Sequence, residues 1–164
     1  MGASSTQTPE IMGCSNSAYG FNPNQLNATM TLMGCVFKNM SAYGLSGWFR
    51  VGNTGNVVNV FNNVFYLNTA TIPRMLSAFT GTSILNFKNN IIVNTLGTQT
   101  FEYSGFALPA GNTINFNNNC INGTWTAITA GTGNITTDPL FVDATGDDFH
   151  LQITSPCRNT GVII

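Results

Sequence analysis

ILNFKNNIIVN (residues 84–94) decides the fold, because the chain repeats its pattern three more times without gaps. The other copies are TMTLMGCVFKN (29–39), VVNVFNNVFYL (57–67) and TINFNNNCING (113–123), with starts 28, 27 and 29 residues apart. The second column reads Met30, Val58, Leu85, Ile114 and the fourth Leu32, Val60, Phe87, Phe116. Between them stand Thr31, Asn59, Asn86 and Asn115, so apolar and polar residues alternate as in a strand with one buried face. Two turn columns follow, Gly34/Asn62/Asn89/Asn118 and Cys35/Asn63/Asn90/Asn119. Asn tolerates the left-handed region and suits a sharp bend. Stacked at a strand spacing of ~4.8 Å, its amides can bond from layer to layer. A second apolar pair comes after the bend: Val36/Phe37, Val64/Phe65, Ile91/Ile92 and Cys120/Ile121. A unit of strand, corner and strand cannot bury its apolar face alone, so it must stack on its neighbours. A weaker copy, Ile11-Met12-Gly13-Cys14, parallels Leu32-Met33-Gly34-Cys35.

Composition agrees. The chain has 164 residues, of which 43% are hydrophobic and only 7% charged. It holds 23 Asn, 22 Thr and 17 Gly, a load that disfavours helices and suits strands with tight turns. An antiparallel sandwich would want hairpin turns every ~8–12 residues, and the observed period is too long for that. Five basic and six acidic residues give a net charge of −1, which argues against nucleic acid and against an anionic membrane surface. No run approaches the ~18 apolar residues of a spanning helix. The reading is therefore an all-β solenoid of about five to six coils with an Asn ladder at a turn. A polar tail (1–10) precedes the coils (11–137), and a terminating coil and cap (138–164) follows.

The runs FNNVFYLN (61–68), FKNNIIVN (87–94) and FNNNCIN (116–122) resemble the coil repeats of the right-handed parallel β-helix, the pectate-lyase-like superfamily. DPLFVDATGDDFHLQITSPCRNTG (138–161) is similar to the segment that closes the last coil in many bacterial surface and polysaccharide-degrading β-helix proteins. It departs from that pattern at Asp147-Asp148 and at Arg158-Asn159-Thr160. Phe141, Phe149 and Leu151 are expected to cover the last open rung, while the four cysteines leave the pairing open, a tie from Cys157 to Cys120 being one arrangement and buried free thiols another.

The resemblance implies an extracellular or cell-surface protein acting on or beside polysaccharide. Lyases of this superfamily use Ca²⁺ held by several carboxylates with a Lys or Arg base, and the hydrolases use clustered Asp. Between residues 11 and 137 the only acid is Glu102, too few for either chemistry. Asp143, Asp147 and Asp148 are the one weak candidate for Ca²⁺ and otherwise a solvated turn. Arg74, after Pro73, is a candidate base with no metal site beside it, so the catalytic residues stay unknown. Ligand contacts are assigned to Trp48, Tyr66, Arg74, Tyr103 and Trp125, with Asn59, Asn86 and Asn115 on an outward column. The expected role is a non-catalytic module, glycan-associated or structural and adhesive, with carbohydrate or a cell-surface glycan as partner. Self-association through an open amino-terminal rung is a further expectation. The alternatives are a fragment of a polysaccharide lyase or hydrolase, and an ice-binding or filament-forming solenoid suggested by the Thr-x-Thr triplets.

Overall fold

The structure is a computed structural model and describes residues 26–38, 49–51, 54–68, 76–79, 81–101, 110–126 and 131–164. Among the described residues there are strands and turns, and no helix long and apolar enough to cross a membrane. The first sheet joins β1 (Thr29–Met33), β4 (Val57–Phe61), β7 (Ile84–Lys88) and β10 (Thr113–Asn117), all parallel and in that order. The second stacks β2 (Val36–Lys38), β5 (Val64–Leu67), β8 (Ile91–Asn94) and β11 (Cys120–Asn122), again parallel. Two parallel pairs complete the stack: β3 (Phe49–Val51) with β6 (Leu76–Phe79), and β9 (Gln99–Thr100) with β12 (Trp125–Thr126). Thr31 pairs with Asn59, Asn59 with Asn86 and Asn86 with Asn115, so like residues lie on like residues as the ungapped repeat requires. The fold is all-β with stacked parallel strands, compatible with a β-solenoid. The upstream copy, the amino-terminal rung, Cys14 and Glu102 lie outside the described residues.

The inward columns fill the interior. Val58, Val60, Leu85 and Phe87 are fully buried, and Met30, Leu32 and Ile114 pack against them. The rings form a pile through the stack. Phe37 lies 5.0 Å from Phe65, Phe65 5.7 Å from Phe87, and Phe87 5.3 Å from Phe116, all nearly parallel, and Phe101 meets Phe116 edge-on at 4.9 Å. Offset stacking at these separations adds to the gain from apolar burial.

At the corner the two turn columns divide the work. Asn62, Asn89 and Asn118 take φ of 56°, 57° and 56°, the left-handed region, which bends the chain from the first sheet into the second. Asn63, Asn90 and Asn119 turn inward and are buried. Their Nδ2 atoms donate to the next amide along: Asn63 to Asn90 Oδ1 at 3.0 Å, Asn90 to Asn119 Oδ1 at 3.1 Å, and Asn119 to Asn134 Oδ1 at 3.1 Å. The same oxygens accept backbone N–H bonds from Asn63, Asn90 and Asn119 at 2.9–3.0 Å, and Asn63 Oδ1 accepts that of Cys35 at 3.0 Å. Each Nδ2 also donates to a strand carbonyl of the preceding rung, Leu32, Val60 or Phe87. Asn134 joins this column only 15 residues after Asn119, from a shortened rung whose Ile135 bridges to Cys120. A further polar column, not anticipated from the repeat, lines the start of the first-sheet strands. Asn56 Oδ1 accepts from Ala28 N at 2.9 Å, and Asn112 Oδ1 from Ser83 N at 2.8 Å.

The terminating segment departs from expectation. It forms an antiparallel hairpin, β13 (Phe141–Asp143) and β14 (Asp148–Leu151), that lies over the outer side of the second sheet. Phe141 and Phe149 do not cover the last rung. They pack edge-on against Tyr66 at 6.3 and 5.4 Å, because Tyr66 is an outward aromatic that water would otherwise wet. Lys38 pairs with Asp147, Asn89 Nδ2 donates to Val162 O at 2.7 Å, and a Cys120–Cys157 disulfide fastens the segment to the stack.

Asn90→Ala leaves the Asn63 N–H buried without a partner and removes the Asn90 amide from both of its neighbours in the ladder, so urea titration should show a loss of about 2–5 kcal/mol. Asn62→Gly, at an exposed left-handed position, should stay within about 1 kcal/mol of the parent. Cys157→Ser opens a closure across a sequence separation of 37 residues and should cost about 4 kcal/mol by the loop-entropy rule.

Candidate functional site

Strand alternation turns three columns of the first sheet outward. They are Thr29/Val57/Ile84/Thr113, Thr31/Asn59/Asn86/Asn115 and Met33/Phe61/Lys88/Asn117. The middle column is an amide ladder in its own right. Asn115 Nδ2 donates to Asn86 Oδ1 at 2.8 Å, Asn86 Nδ2 to Asn59 Oδ1 at 2.8 Å, and Asn59 Nδ2 to Thr31 Oγ1 at 3.2 Å. On either side stand apolar side chains in contact with solvent, with Met33 57% and Ile84 39% exposed. Lys88 is the one charged residue on this face, which carries no acid. The result is a regular surface with hydrogen-bonding amides in the centre and, over its first three strands, hydrocarbon on one or both sides of them, from Met33, Val57, Phe61 and Ile84.

The aromatic sugar contacts expected from sequence do not gather on this face. Tyr66 is only 7% exposed and is occupied by Phe141 and Phe149. Trp125 is half-buried, edge-on to Phe101 at 5.9 Å, and its Nε1 donates to Asn122 O at 3.2 Å. Trp48, Arg74 and Tyr103 lie outside the described residues. The face was legible in another way, since the first and fifth columns of the repeat alignment flank the third, and their apolar members were the signal.

The acidic cluster does not fit a Ca²⁺ site. Asp143 Oδ1 accepts the Thr145 hydroxyl at 2.7 Å and the Gly146 N–H at 3.0 Å. Asp147 is taken by Lys38, and Asp148 Oδ1 lies 2.6 Å from His150 Nδ1 and accepts the His150 N–H at 3.0 Å. Among the described residues no three His, Cys, Asp or Glu side chains come together as metal ligands. Ca²⁺ wants six to eight oxygens, and these carboxylates are spread along a turn, each already bonded.

Between the hairpin and the first rungs lies a cleft of about 590 Å³, lined by Cys35, Val36 and Val64 on one side and by Asp148, Phe149 and His150 on the other. Cys35 is the free cysteine among the described residues. Burial pushes its thiol up, so it stays protonated at neutral pH and is a poor nucleophile, and its S–H donates to the Met33 carbonyl at 3.5 Å.

Residues 53–163, more than half of the chain, match the family model described as disaggregatase related, and the chain belongs to that family. No curated protein and no solved structure matches it.

The hairpin carries a pH dependence. The His150 N–H, followed by its side chain, holds Asp148 below the usual carboxylate value, and the Gly146 N–H, followed by the Thr145 hydroxyl, does the same for Asp143. A lowered folded-state pKa stabilises above the unfolded value and loses that contribution as pH falls through the folded one. Amide-exchange protection factors over residues 143–150 should therefore be highest near pH 6 and fall below about pH 4, while those in β7 stay high. In Asp148→Asn the acid-dependent part of that change should shrink.

Proposed function

We propose that the chain is an extracellular, non-catalytic β-helix module, right-handed and of about five to six coils, that associates with glycans at a cell surface. The observation that carries this reading is the outward face of the first sheet, an unbroken Thr31–Asn59–Asn86–Asn115 ladder with the apolar side chains Val57 and Ile84 on one side and Met33 and Phe61 on the other. Sugars combine hydroxyl groups with hydrocarbon faces, and a surface that offers amides beside apolar side chains matches both. Low charge adds to the argument, because it leaves hydrogen bonding and apolar contact as the available recognition chemistry. Membership in a disaggregatase-related family supports a setting in which material is held together in aggregates.

The non-catalytic part of the reading rests on the acids. A glycosidase needs two carboxylates across the bond it cleaves. Asp143, Asp147 and Asp148 are each bonded within the hairpin or to the stack, and Asp138 Oδ1 accepts the Leu140 N–H at 2.8 Å.

A glycan array probed with the full chain, run beside incubation with polygalacturonate and Ca²⁺, tests both halves. Retention of glycans with no unsaturated product is the expected outcome. Unsaturated product would make the chain a lyase, and an array without binding would remove the glycan reading.

A further inference from the structure

Resting on the glycan reading, we infer that the ligand is an uncharged, unbranched chain of equatorially linked pyranoses that lies along the stacking direction on the first sheet, one sugar per strand. The hydrogen-bond inventory comes first. In the outward ladder Asn59, Asn86 and Asn115 each give one N–H to the neighbouring rung, so each amide keeps a second N–H, and a carbonyl oxygen has room for two partners. The face thus repeats an unused donor and acceptor at every strand, about 4.8 Å apart. A pyranose linked through opposite equatorial positions advances its chain by close to one strand spacing, so successive rings meet successive amides in register. A branched or sharply coiled glycan leaves that register after one or two rings.

The margins fix the orientation of the rings. An equatorially substituted pyranose has hydroxyls around its edge and axial C–H bonds on its faces. With a hydroxyl edge on the amides, the C–H faces meet Val57 and Ile84 on one side and Met33 and Phe61 on the other. Charge sets the chemical class. Of the outward residues only Lys88 is charged, at one margin and in the third of four strands, so three of four rungs give a carboxylate or sulfate no counter-ion. Among the described residues the sheet β1-β4-β7-β10 offers four such positions, so the face takes at least four rings.

The test is calorimetry of the full chain with a neutral 1,4-equatorial oligosaccharide series of one to six rings and a carboxylated series of equal lengths. Affinity should rise about three- to tenfold per ring up to at least four. The carboxylated series should bind no better at equal length, and added salt should change little. Asn86→Ala should lower affinity for the four-ring ligand about tenfold, and Ile84→Thr, which leaves the amides untouched, should lower it several-fold with the far-ultraviolet spectrum unchanged. Affinity independent of length, preference for the carboxylated series, or indifference to both substitutions would overturn this inference while glycan binding stood. A chain that binds no glycan on the array, or that shapes ice instead, would take the glycan reading with it.

Discussion

A chain turning from one strand to the next through a left-handed residue brings a backbone N–H into the interior with no strand partner. In this protein the buried amide of Asn63, Asn90, Asn119 or Asn134 meets that N–H, as each Oδ1 accepts the orphaned donor of the rung before it. An unpaired buried N–H costs about 1–3 kcal/mol, and it arises at every rung. The corner exists because the amide is there, and the sheets on either side exist because the corner is always in the same place.

Once the corners are fixed, the rest follows from stacking. Register between strands is set residue for residue, so the inward columns superpose Val58 on Leu85 and Val60 on Phe87. The Phe37–Phe65–Phe87–Phe116 pile then forms inside the parallel walls. The outward columns inherit the same register, and a row of amides on the surface is therefore a by-product of order in the core. A face of this regularity suits recognition of a polymer that is itself periodic.

Sequence made the repeating part legible because the repeat has no gaps. Thr31, Asn59, Asn86 and Asn115 fall in one column, and so do Asn63, Asn90 and Asn119. Asn134 escaped notice because its rung is 15 residues long and breaks the period. The Asn56 and Asn112 column escaped because Ala28 and Ser83 share its positions, so composition varies where geometry does not. The hairpin could not be placed at all. Phe141 and Phe149 read as caps, but the contact that places them is with Tyr66, more than seventy residues earlier, and periodicity says nothing about partners outside the period. At the candidate site the amides were visible and their neighbours were misjudged, since the search was for aromatic rings and the margins are Val57, Ile84, Met33 and Phe61.

The two amide columns point in opposite senses. In the buried column each oxygen faces the earlier rung, and in the surface column Asn59 and Asn86 turn their oxygens to the later one. Aligned peptide dipoles in a long helix accumulate partial charge at its two ends, which counter-charges must neutralise. Here the surface row runs against the corner row, so part of what one accumulates is offset by the other as the stack is lengthened rung by rung, in a protein with few ionised groups to quench it.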